Sequence, residues 1–298
     1  MNPKPILKWV GGKTQIIDRV MSAIPLEMNN YIEPFVGGGS VLLSVLANRR
    51  SGISGKIYAS DINQALIGFY QNVQSRVETL IAEVTLLNRL YRGCQDDETP
   101  NRKPNTLEEA QTSQESFYYW IRKTFNECPK KDSVEASAMF LFLNKTCFRG
   151  LYREGPNGFN VPYGNYKHPT ILDEDHIRSI SALIQPVEFT CEPFHDSIRR
   201  ANRGDFVYMD PPYAPEDAKS FVSYNAAGFG LDQHETLFRF CKNLLSDGVR
   251  WAMSNADVEL VKKAFPTQEY SVDVFSCRRA INSTAPDSKT NEVMIIPL

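Results

Sequence analysis

The sequence has few of the residues that mark metal sites, disulfide frameworks or membrane proteins. Its 298 residues include only six cysteines and four histidines, all widely scattered, with no Cys-x-x-Cys pair. That spacing supports neither a zinc site nor a disulfide framework, so we expect reduced thiols and no bound metal. No apolar run approaches the roughly 18 residues of a membrane span, and the N-terminus lacks a signal-peptide core. We therefore expect a cytoplasmic protein with no membrane partner.

Neither sign of charge dominates the chain. The formal net charge is −2, which excludes a uniformly basic nucleic-acid-binding protein but leaves room for a local basic patch. Hydrophobic residues make up 42% and charged residues 23%, as in ordinary globular proteins. A chain of this length can bury a substantial core, in one large domain or two smaller ones.

Strand and helix patterns alternate near both ends of the chain. Apolar runs predict strands at 31–35, 56–60, 206–209, 249–254 and 293–298. Helical spacing predicts helices at 40–48, from about 63, at 231–245 and at 258–264. This alternation indicates an α/β fold with a mostly parallel sheet and helices on both faces. We assign residues 1–75 and 171–298 to this domain.

The middle of the chain has a different pattern. Long helical patterns cover 77–90, 116–125 and 134–144, and a hairpin pattern follows them with its turn at 155–158. We therefore interpret residues 76–170 as a helical insertion that ends in a β-hairpin.

The tetrapeptide Asp210-Pro211-Pro212-Tyr213 comes directly after the predicted strand at 206–209. Prolines have no backbone N–H, so the neighbouring carbonyl oxygens stay available as hydrogen-bond acceptors. Such acceptors beside an aromatic ring suit a planar ligand that carries an amino group. A plain Pro-Pro turn at the end of a strand is an equally open interpretation of these four residues.

Glycines follow the first predicted strand, in the segment Phe35-Val36-Gly37-Gly38-Gly39-Ser40. Glycines let backbone N–H groups and a helix N-terminus approach a ligand closely, although the G-x-G-x-x-G spacing of a dinucleotide site is absent. Asp61 ends the next predicted strand, where an acid can accept hydrogen bonds from ribose hydroxyls. The pattern indicates a nucleoside site, with a tight strand-to-helix turn as the alternative.

A second glycine pair lies in the segment Lys8-Trp9-Val10-Gly11-Gly12-Lys13, whose spacing does not match a P-loop. Lys13 could meet a carboxylate, and Trp9 could cover an aromatic or sulfonium ligand. An N-terminal arm that simply packs its tryptophan is the alternative.

Taken together, these motifs resemble the Dam family of DNA adenine-N6 methyltransferases, in the motif order of the alpha group. The matching blocks occur in the family's order and span most of the chain. They are LKWVGGK (Leu7–Lys13), YIEPFVGGGS (Tyr31–Ser40), SDIN (Ser60–Asn63), FRGLYR (Phe148–Arg153), FNVPYGNYKHP (Phe159–Pro169), CEPF (Cys191–Phe194) and VYMDPPYAP (Val207–Pro215).

The resemblance implies the Rossmann-like fold of class I S-adenosylmethionine-dependent methyltransferases, with the insertion as the target-recognition domain. It implies S-adenosylmethionine as cofactor, S-adenosylhomocysteine as product, and no metal. Asp61 would bind the ribose hydroxyls, and Phe194 would lie against the cofactor's adenine. The full set of implied cofactor-binding residues is Trp9, Gly11, Lys13, Glu33, Phe35, Gly37, Gly39, Asp61, Ile62, Phe194 and Asp210.

The resemblance also makes Asp210, Pro211, Pro212 and Tyr213 the catalytic motif. Asp210 and the Pro211 carbonyl would accept the two N–H bonds of the target adenine's N6, so that its lone pair points at the sulfonium methyl. Tyr213 would stack on the adenine after that base leaves the duplex.

Basic residues predominate between Lys145 and Lys167, with four basic side chains against one acid, Glu154. A local patch of this kind is typical of a hairpin that faces duplex DNA, although an exposed hairpin with ordinary surface charges is the alternative. Arg153 could read a guanine edge, with Lys8 as a second candidate, and by resemblance Phe148 would push into the base stack. The full set of expected DNA-binding residues is Lys8, Lys145, Phe148, Arg149, Leu151, Arg153, Pro162 and Tyr166.

One position departs from the family pattern, because many members carry Asn where this chain has Arg149. We expect an adenine-N6 methyltransferase with a GATC-like site, and Arg149 leaves the flanking bases open. Cytosine-N4 methylation is an alternative, although such enzymes more often carry Ser in place of Asp210. Methylation of RNA or of a protein amide is a more distant alternative. From another class, the chain could be an inactive regulator that binds DNA or the cofactor. The expected partner is double-stranded DNA, and the sequence leaves open whether a cognate restriction endonuclease acts on the same site. We expect a bacterial protein, or a phage-encoded one in a bacterial host.

Overall fold

The computed structural model describes residues 2–95, 99–215, 229–278 and 289–298, and the side chains of Arg278 and Lys289 are not described. The described strands are β1 (Tyr31–Glu33), β2 (Ile57–Asp61), β3 (Glu154–Gly155), β4 (Gly158–Phe159), β5 (Val187–Cys191), β6 (Phe206–Met209), β7 (Arg250–Ala256), β8 (Tyr270–Arg278) and β9 (Lys289–Pro297). The described α-helices are α1 (Ile17–Ala23), α2 (Ser40–Asn48), α3 (Gln64–Ser75), α4 (Val77–Arg92), α5 (Leu107–Ala110), α6 (Gln114–Glu127), α7 (Val134–Thr146), α8 (Glu174–Leu183), α9 (Phe194–Ile198), α10 (Leu231–Ser246) and α11 (Glu259–Ala264).

Seven strands form one sheet, in the order β5-β2-β1-β6-β7-β9-β8. The first five are parallel, whereas β9 runs antiparallel to β7 and β8 runs antiparallel to β9. This arrangement confirms the predicted α/β fold with a mostly parallel sheet. The strand order reverses between β1 and β6, and ligands of such sheets bind beyond the carboxyl ends of the strands at the point of reversal.

The chain divides into two compact units, each with its own internal contacts. Unit 1 comprises Met1–Asn2, Lys13–Ile62 and Pro186–Leu298, and unit 2 comprises Pro3–Gly12 and Asn63–Gln185. These units are defined by contacts, and the predicted division at 75 and 171 into a catalytic and a target-recognition domain stays a prediction. Helix α3 belongs to unit 2 because it packs against α7 and α8. Asn72 of α3 donates to the Asp132 carbonyl and to Ser137 Oγ of α7, at 2.8 and 2.9 Å.

Unit 1 contains the seven-stranded sheet and its apolar core. Every residue of β1 and β6 is buried, as are all residues of β7 after Arg250. Strands buried along their whole length are covered on both faces, which is why β6 reads as a continuous apolar run. The rings of Trp251, Phe265 and Tyr270 contact one another in this core. Strand β8 was not predicted, although its apolar residues alternate with polar ones as on an edge strand.

Unit 2 is mainly helical. Helix α7 is buried nearly all round, and its Phe142 contacts the rings of Tyr91 and Phe117 on α4 and α6. The predicted hairpin turn at 155–158 is confirmed, with Gly158 at a positive φ of 86°, but β3 and β4 have only two residues each. Asn126 holds β4 in place by accepting from the N–H of Phe159 at 2.9 Å.

Candidate active site

Three carboxylates lie at the ends of neighbouring parallel strands of unit 1. Glu33 ends β1, Asp61 ends β2, and Asp210 comes directly after β6. Because β2, β1 and β6 are adjacent and parallel, their carboxyl ends lie at one edge of the sheet. We call this part of unit 1 the carboxyl edge. It coincides with the reversal of strand order, where ligands of this sheet type bind.

Lys13 and Asp210 form a buried ion pair at the carboxyl edge. Lys13 Nζ lies 2.7 Å from Asp210 Oδ2, and the lysine side chain is only 4% exposed. The backbone N–H of Lys13 donates to Ser40 Oγ at 3.0 Å, which fixes the lysine beside the start of α2. Burial raises the pKa of the Asp210 carboxyl, while the charge of Lys13 acts in the opposite direction. The lysine therefore favours the ionised, hydrogen-bond-accepting form of Asp210.

Glu33 has a different electrostatic environment. It is 2% exposed, and its Oε2 accepts a hydrogen bond from the Tyr31 hydroxyl at 2.7 Å. Burial raises the pKa of Glu33 to about 8, the Tyr31 hydrogen bond opposes that rise, and the charge of Asp210 adds to it. Glu33 is therefore mostly protonated at neutral pH in this structure, unlike an exposed glutamate.

The glycine turn after β1 is anchored to the end of β2. Gly37 and Gly39 have φ values of 47° and 75°, in the left-handed region where a side chain would be strained. The N–H of Val36 donates to the Ser60 carbonyl at 2.9 Å, and the N–H of Gly37 donates to Asp61 Oδ2 at 3.2 Å. The turn therefore brings backbone N–H groups and the N-terminus of α2 to the carboxyl edge.

Aromatic rings form an apolar wall in the same unit. Phe35 and Phe194 stack with ring centroids 5.4 Å apart, and Phe229 contacts both rings at 5.8 Å. Phe194 is 6% exposed, at the start of α9, whereas Ile62 is 71% exposed. Phe35 and Phe194 therefore lie together, as two residues that contact the same planar ligand must.

The N-terminal glycine segment belongs to unit 2 as far as Gly12, and Lys13 belongs to unit 1. Trp9 stacks on Tyr152, with centroids 5.6 Å apart, and also contacts Phe140. Gly11 has a φ of 78° and is exposed. This packing agrees with the N-terminal-arm interpretation, and the cofactor contacts of Trp9 and Gly11 stay predictions.

Five of the expected DNA-binding residues lie together at one surface of unit 2. The N–H of Phe148 donates to the Pro162 carbonyl at 2.9 Å, and the N–H of Arg149 donates to the Tyr166 hydroxyl at 2.8 Å. Lys8 Nζ lies 4.7 Å from the centroid of the Tyr166 ring. Phe148 is 41% exposed although it is aromatic, as a residue that contacts a partner would be.

The other three expected DNA-binding residues have different environments. Arg153 is exposed, and its Nε donates to Asn160 Oδ1 at 2.6 Å across the hairpin. Leu151 is partly exposed, and its N–H donates to the Phe148 carbonyl at 3.2 Å. Lys145 is only partly exposed, its Nζ donates to the Ile6 carbonyl, and burial lowers its pKa to about 8. The ammonium of Lys145 therefore has a partner within unit 2, and its DNA contact stays a prediction.

Residues 9–276 match the family described as D12 class N6 adenine-specific DNA methyltransferase. The chain belongs to this family. The resemblance to the Dam enzymes is confirmed, and with it adenine-specific DNA methylation as the activity.

Curated relatives of this methyltransferase cover nearly its whole length. The type II methyltransferase M.MjaIII of Methanocaldococcus jannaschii is 35% identical over 95% of this chain and 94% of its own. The DNA adenine methylases of Salmonella typhi and Escherichia coli K12 are 31% and 30% identical, each over 96% of this chain and 92% of their own. Among solved structures, TrmN from Thermus thermophilus aligns with 95% of this chain and 48% of its own, at 11% identity and a TM-score of 0.37. That similarity is too low to support an inference.

Sequence reasoning missed two residues that hold the predicted catalytic motif, Asp210–Tyr213. The Tyr213 hydroxyl donates to Glu292 Oε2 of β9 at 2.9 Å, and the N–H of Ala214 donates to Asn255 Oδ1 of β7 at 3.1 Å. Pro211 is buried and Pro212 is exposed between these anchors. Neither Glu292 nor Asn255 stands out in the sequence, because each lies just outside a predicted strand and far from residues 210–213.

Within residues 2–95, 99–215, 229–278 and 289–298, no cluster of three or more His, Cys, Asp or Glu side chains is placed to bind a metal ion. Over the same residues, no helix combines the length and the apolar composition needed to cross a membrane.

Proposed function

We propose that this methyltransferase transfers the methyl group of S-adenosylmethionine to N6 of an adenine that has left the base stack of duplex DNA, in a GATC-like sequence. Membership of the adenine-specific family supports the reaction. The observation that carries the assignment of the site is the buried Lys13–Asp210 ion pair at the carboxyl edge, since it supplies a fixed acceptor for an amino group.

The chemistry of the carboxyl edge fits S-adenosylmethionine. Asp61 is placed to accept from ribose hydroxyls, beside a glycine turn that leaves room for close approach. The stacked rings of Phe35 and Phe194 suit the flat adenine of the cofactor. When bound, the cofactor supplies an electrophilic methyl group on a positively charged sulfur. The assignments of Trp9, Gly11 and Ile62 to cofactor binding rest on the motif match alone.

The role of Asp210 follows from the weakness of adenine N6 as a nucleophile, because its lone pair is delocalised into the ring. Asp210 and the Pro211 carbonyl would accept the two N–H bonds and hold the nitrogen in a geometry in which its lone pair is directed outward. Lys13 keeps Asp210 in the accepting form. Tyr213 would lie against the base and replace the stacking that the base loses on leaving the duplex.

We assign the two halves of the function to different parts of the chain. Residues 1–75 and 171–298 would form the catalytic domain, and residues 76–170 would form the target-recognition domain. The exposed Phe148 supports this assignment as the residue that would enter the base stack. Arg153 is exposed, and its guanidinium has two neighbouring N–H donors that match the O6 and N7 acceptors of guanine in the major groove.

The reaction is tested by the identity of the methylated base. Duplex DNA is incubated with the enzyme and S-adenosylmethionine, digested to nucleosides and analysed by mass spectrometry. We expect N6-methyladenine, whereas N4-methylcytosine without N6-methyladenine would overturn the proposal. Methylated RNA or protein in parallel incubations, with unmodified DNA, would favour the other substrates.

The target sequence and the partner need a second experiment. DNA from cells that express the enzyme is sequenced with detection of modified bases, and we expect methylated adenines in GATC-like sites. A relative named as a type II methyltransferase supports a cytoplasmic restriction endonuclease as the partner on the same sequence. Methylated DNA would then resist that endonuclease, and cleavage at the methylated sites would contradict the partnership.

A further inference from the structure

Glu292 holds the hydroxyl of the catalytic-motif tyrosine from a rigid strand. The Tyr213 hydroxyl lies 2.9 Å from Glu292 Oε2, and both side chains are only partly exposed. Glu292 lies opposite Ala256 of β7 on one side and opposite Phe275 of β8 on the other. Because β9 is hydrogen-bonded on both sides, the backbone that carries this carboxylate has little freedom to move.

The ring of Tyr213 is partly buried and packs against the apolar core of unit 1, while its hydroxyl is held by Glu292. The backbone before Tyr213 is restricted by Pro211 and Pro212, and the backbone after it is held by the bond from Ala214 to Asn255. These contacts fix the Cα atom, and packing against the core restricts the near end of the ring. Lys13 Nζ lies 5.0 Å from the ring centroid, and the hydrogen bond to Glu292 holds the far end of the ring.

We infer that Glu292 is a positioning residue for methyl transfer, which fixes the ring of Tyr213 in the orientation that stacks on the target adenine. The inference rests on the proposed function, because that stacking is part of it. A stacked base is held only as precisely as the surface it lies on, and a misplacement of about 1 Å can lower a rate by about 100-fold. Glu292 thus extends the site to a strand that no motif of the family resemblance includes.

A second way for Glu292 to act is through its charge on Asp210, whose pKa it raises. The two ways respond differently to substitution. Glu292→Gln keeps an oxygen that can accept from the Tyr213 hydroxyl but removes the charge, whereas Glu292→Ala removes both. If the hydrogen bond sets the methylation rate, Glu292→Gln keeps a rate near that of wild type. If the charge sets the rate, Glu292→Gln is as slow as Glu292→Ala.

The test is a double-mutant cycle on the single-turnover rate of N6-methyladenine formation in the full-length enzyme. We expect Glu292→Ala and Tyr213→Phe each to lower that rate by about tenfold, with the Kd for DNA unchanged. The double variant should lie within about twofold of either single variant, because both changes remove the same hydrogen bond. Glu292→Gln should stay within about threefold of wild type. Glu269→Ala, which removes an exposed glutamate just before β8, is the matched control and should keep the wild-type rate.

Additive losses in the double variant would overturn the inference, as would a Glu292→Gln rate as low as that of Glu292→Ala. If Glu292→Ala does not fold, Glu292→Gln, Tyr213→Phe and their double variant decide the question. A glutamine variant slower than Tyr213→Phe would then overturn the inference. Wild-type enzyme that forms no N6-methyladenine would refute the proposed function, whereas active wild type with an additive cycle would refute only the role of Glu292.

Discussion

Charged side chains at the carboxyl edge of unit 1 and on the hairpin of unit 2 are held in opposite ways. At the carboxyl edge, the Lys13 side chain is 4% exposed and its Nζ lies 2.7 Å from Asp210 Oδ2. On the hairpin of unit 2, Arg153 is exposed, and its described side-chain hydrogen bonds go to the neighbouring Asn160. Catalysis needs charges whose positions are fixed before the reaction, whereas reading DNA needs donors that reach outward from the surface.

This contrast predicts different consequences of substitution in the two units. A buried charge that loses its partner lowers both stability and rate, because the remaining charge stays out of water. An exposed donor that is removed changes recognition with little effect on the fold.

Substitution of Asp210 should have the largest effect. We expect Asp210→Ala to abolish methyl transfer, with a loss of at least about 10³-fold, because the amino group loses its acceptor. Much of the DNA affinity should remain, and the fold should persist with lower stability since Lys13 is left buried. Methyl incorporation and DNA titration measure the two properties. Asp273→Ala, which removes an exposed aspartate paired with Arg19, is the control. Wild-type activity in Asp210→Ala would refute the role.

Glu33 should make the stability of the protein depend on pH. Its pKa is about 8 in the folded protein against an ordinary value of 4.5, so between these values the folded state holds a proton that the unfolded state releases. The free energy of unfolding should therefore fall as pH rises through this window, by at most about 1.4 kcal/mol per pH unit from this group. Glu33→Gln removes the titration, so its stability relative to wild type should increase from pH 4.5 to pH 8. Urea unfolding at several pH values measures this difference. Parallel pH curves for the two proteins would contradict it.

Arg153 should govern sequence preference and not stability. We expect Arg153→Ala to lose about 1–3 kcal/mol of discrimination at one base pair, measured as relative methylation rates on oligonucleotides that vary one position at a time. Lys167→Ala, at an exposed lysine of the same segment, is the comparison and should weaken binding to all sequences alike. A uniform loss in Arg153→Ala would mean that this arginine contacts only phosphate.

The sequence predicted the elements of unit 1 that have strong local patterns. Helix α2 begins at Ser40 and ends at Asn48, as its apolar run and the glycine turn before it predicted. Asp61 and Asp210 lie at strand ends as expected, because a buried strand reads as an apolar run that stops at the first charge. The resemblance supplied what local patterns lack, namely the prediction that these strand ends belong to one site.

Contacts between distant residues could not be predicted in this way. Lys13 and Asp210 are separated by most of the chain, so the sequence indicated only that Lys13 could meet a carboxylate. Lys145 looked like part of a basic patch, yet its position on α7 directs its ammonium to the Ile6 carbonyl. Glu292 gave no signal, because a glutamate in an alternating strand is an ordinary residue until its partner is known.

Arg149 links the sequence departure in unit 2 to a backbone constraint. Its φ is 56°, in the left-handed region, where asparagine is better tolerated than residues with longer side chains. The next residue, Gly150, also has a positive φ of 66°. The asparagine that many family members carry at this position therefore has a conformational reason that is independent of any base contact.

The smallest expected effect follows from this constraint. We expect Arg149→Asn to raise the free energy of unfolding by about 0.5–1 kcal/mol, since it relieves backbone strain at an exposed position. Urea unfolding measures the gain, and Arg153→Asn, on the same exposed surface, is the control and should show none. If the arginine serves only the turn, the variant keeps the wild-type target sequence. A changed target sequence in Arg149→Asn would instead show that the guanidinium, and not only the backbone, takes part in reading DNA.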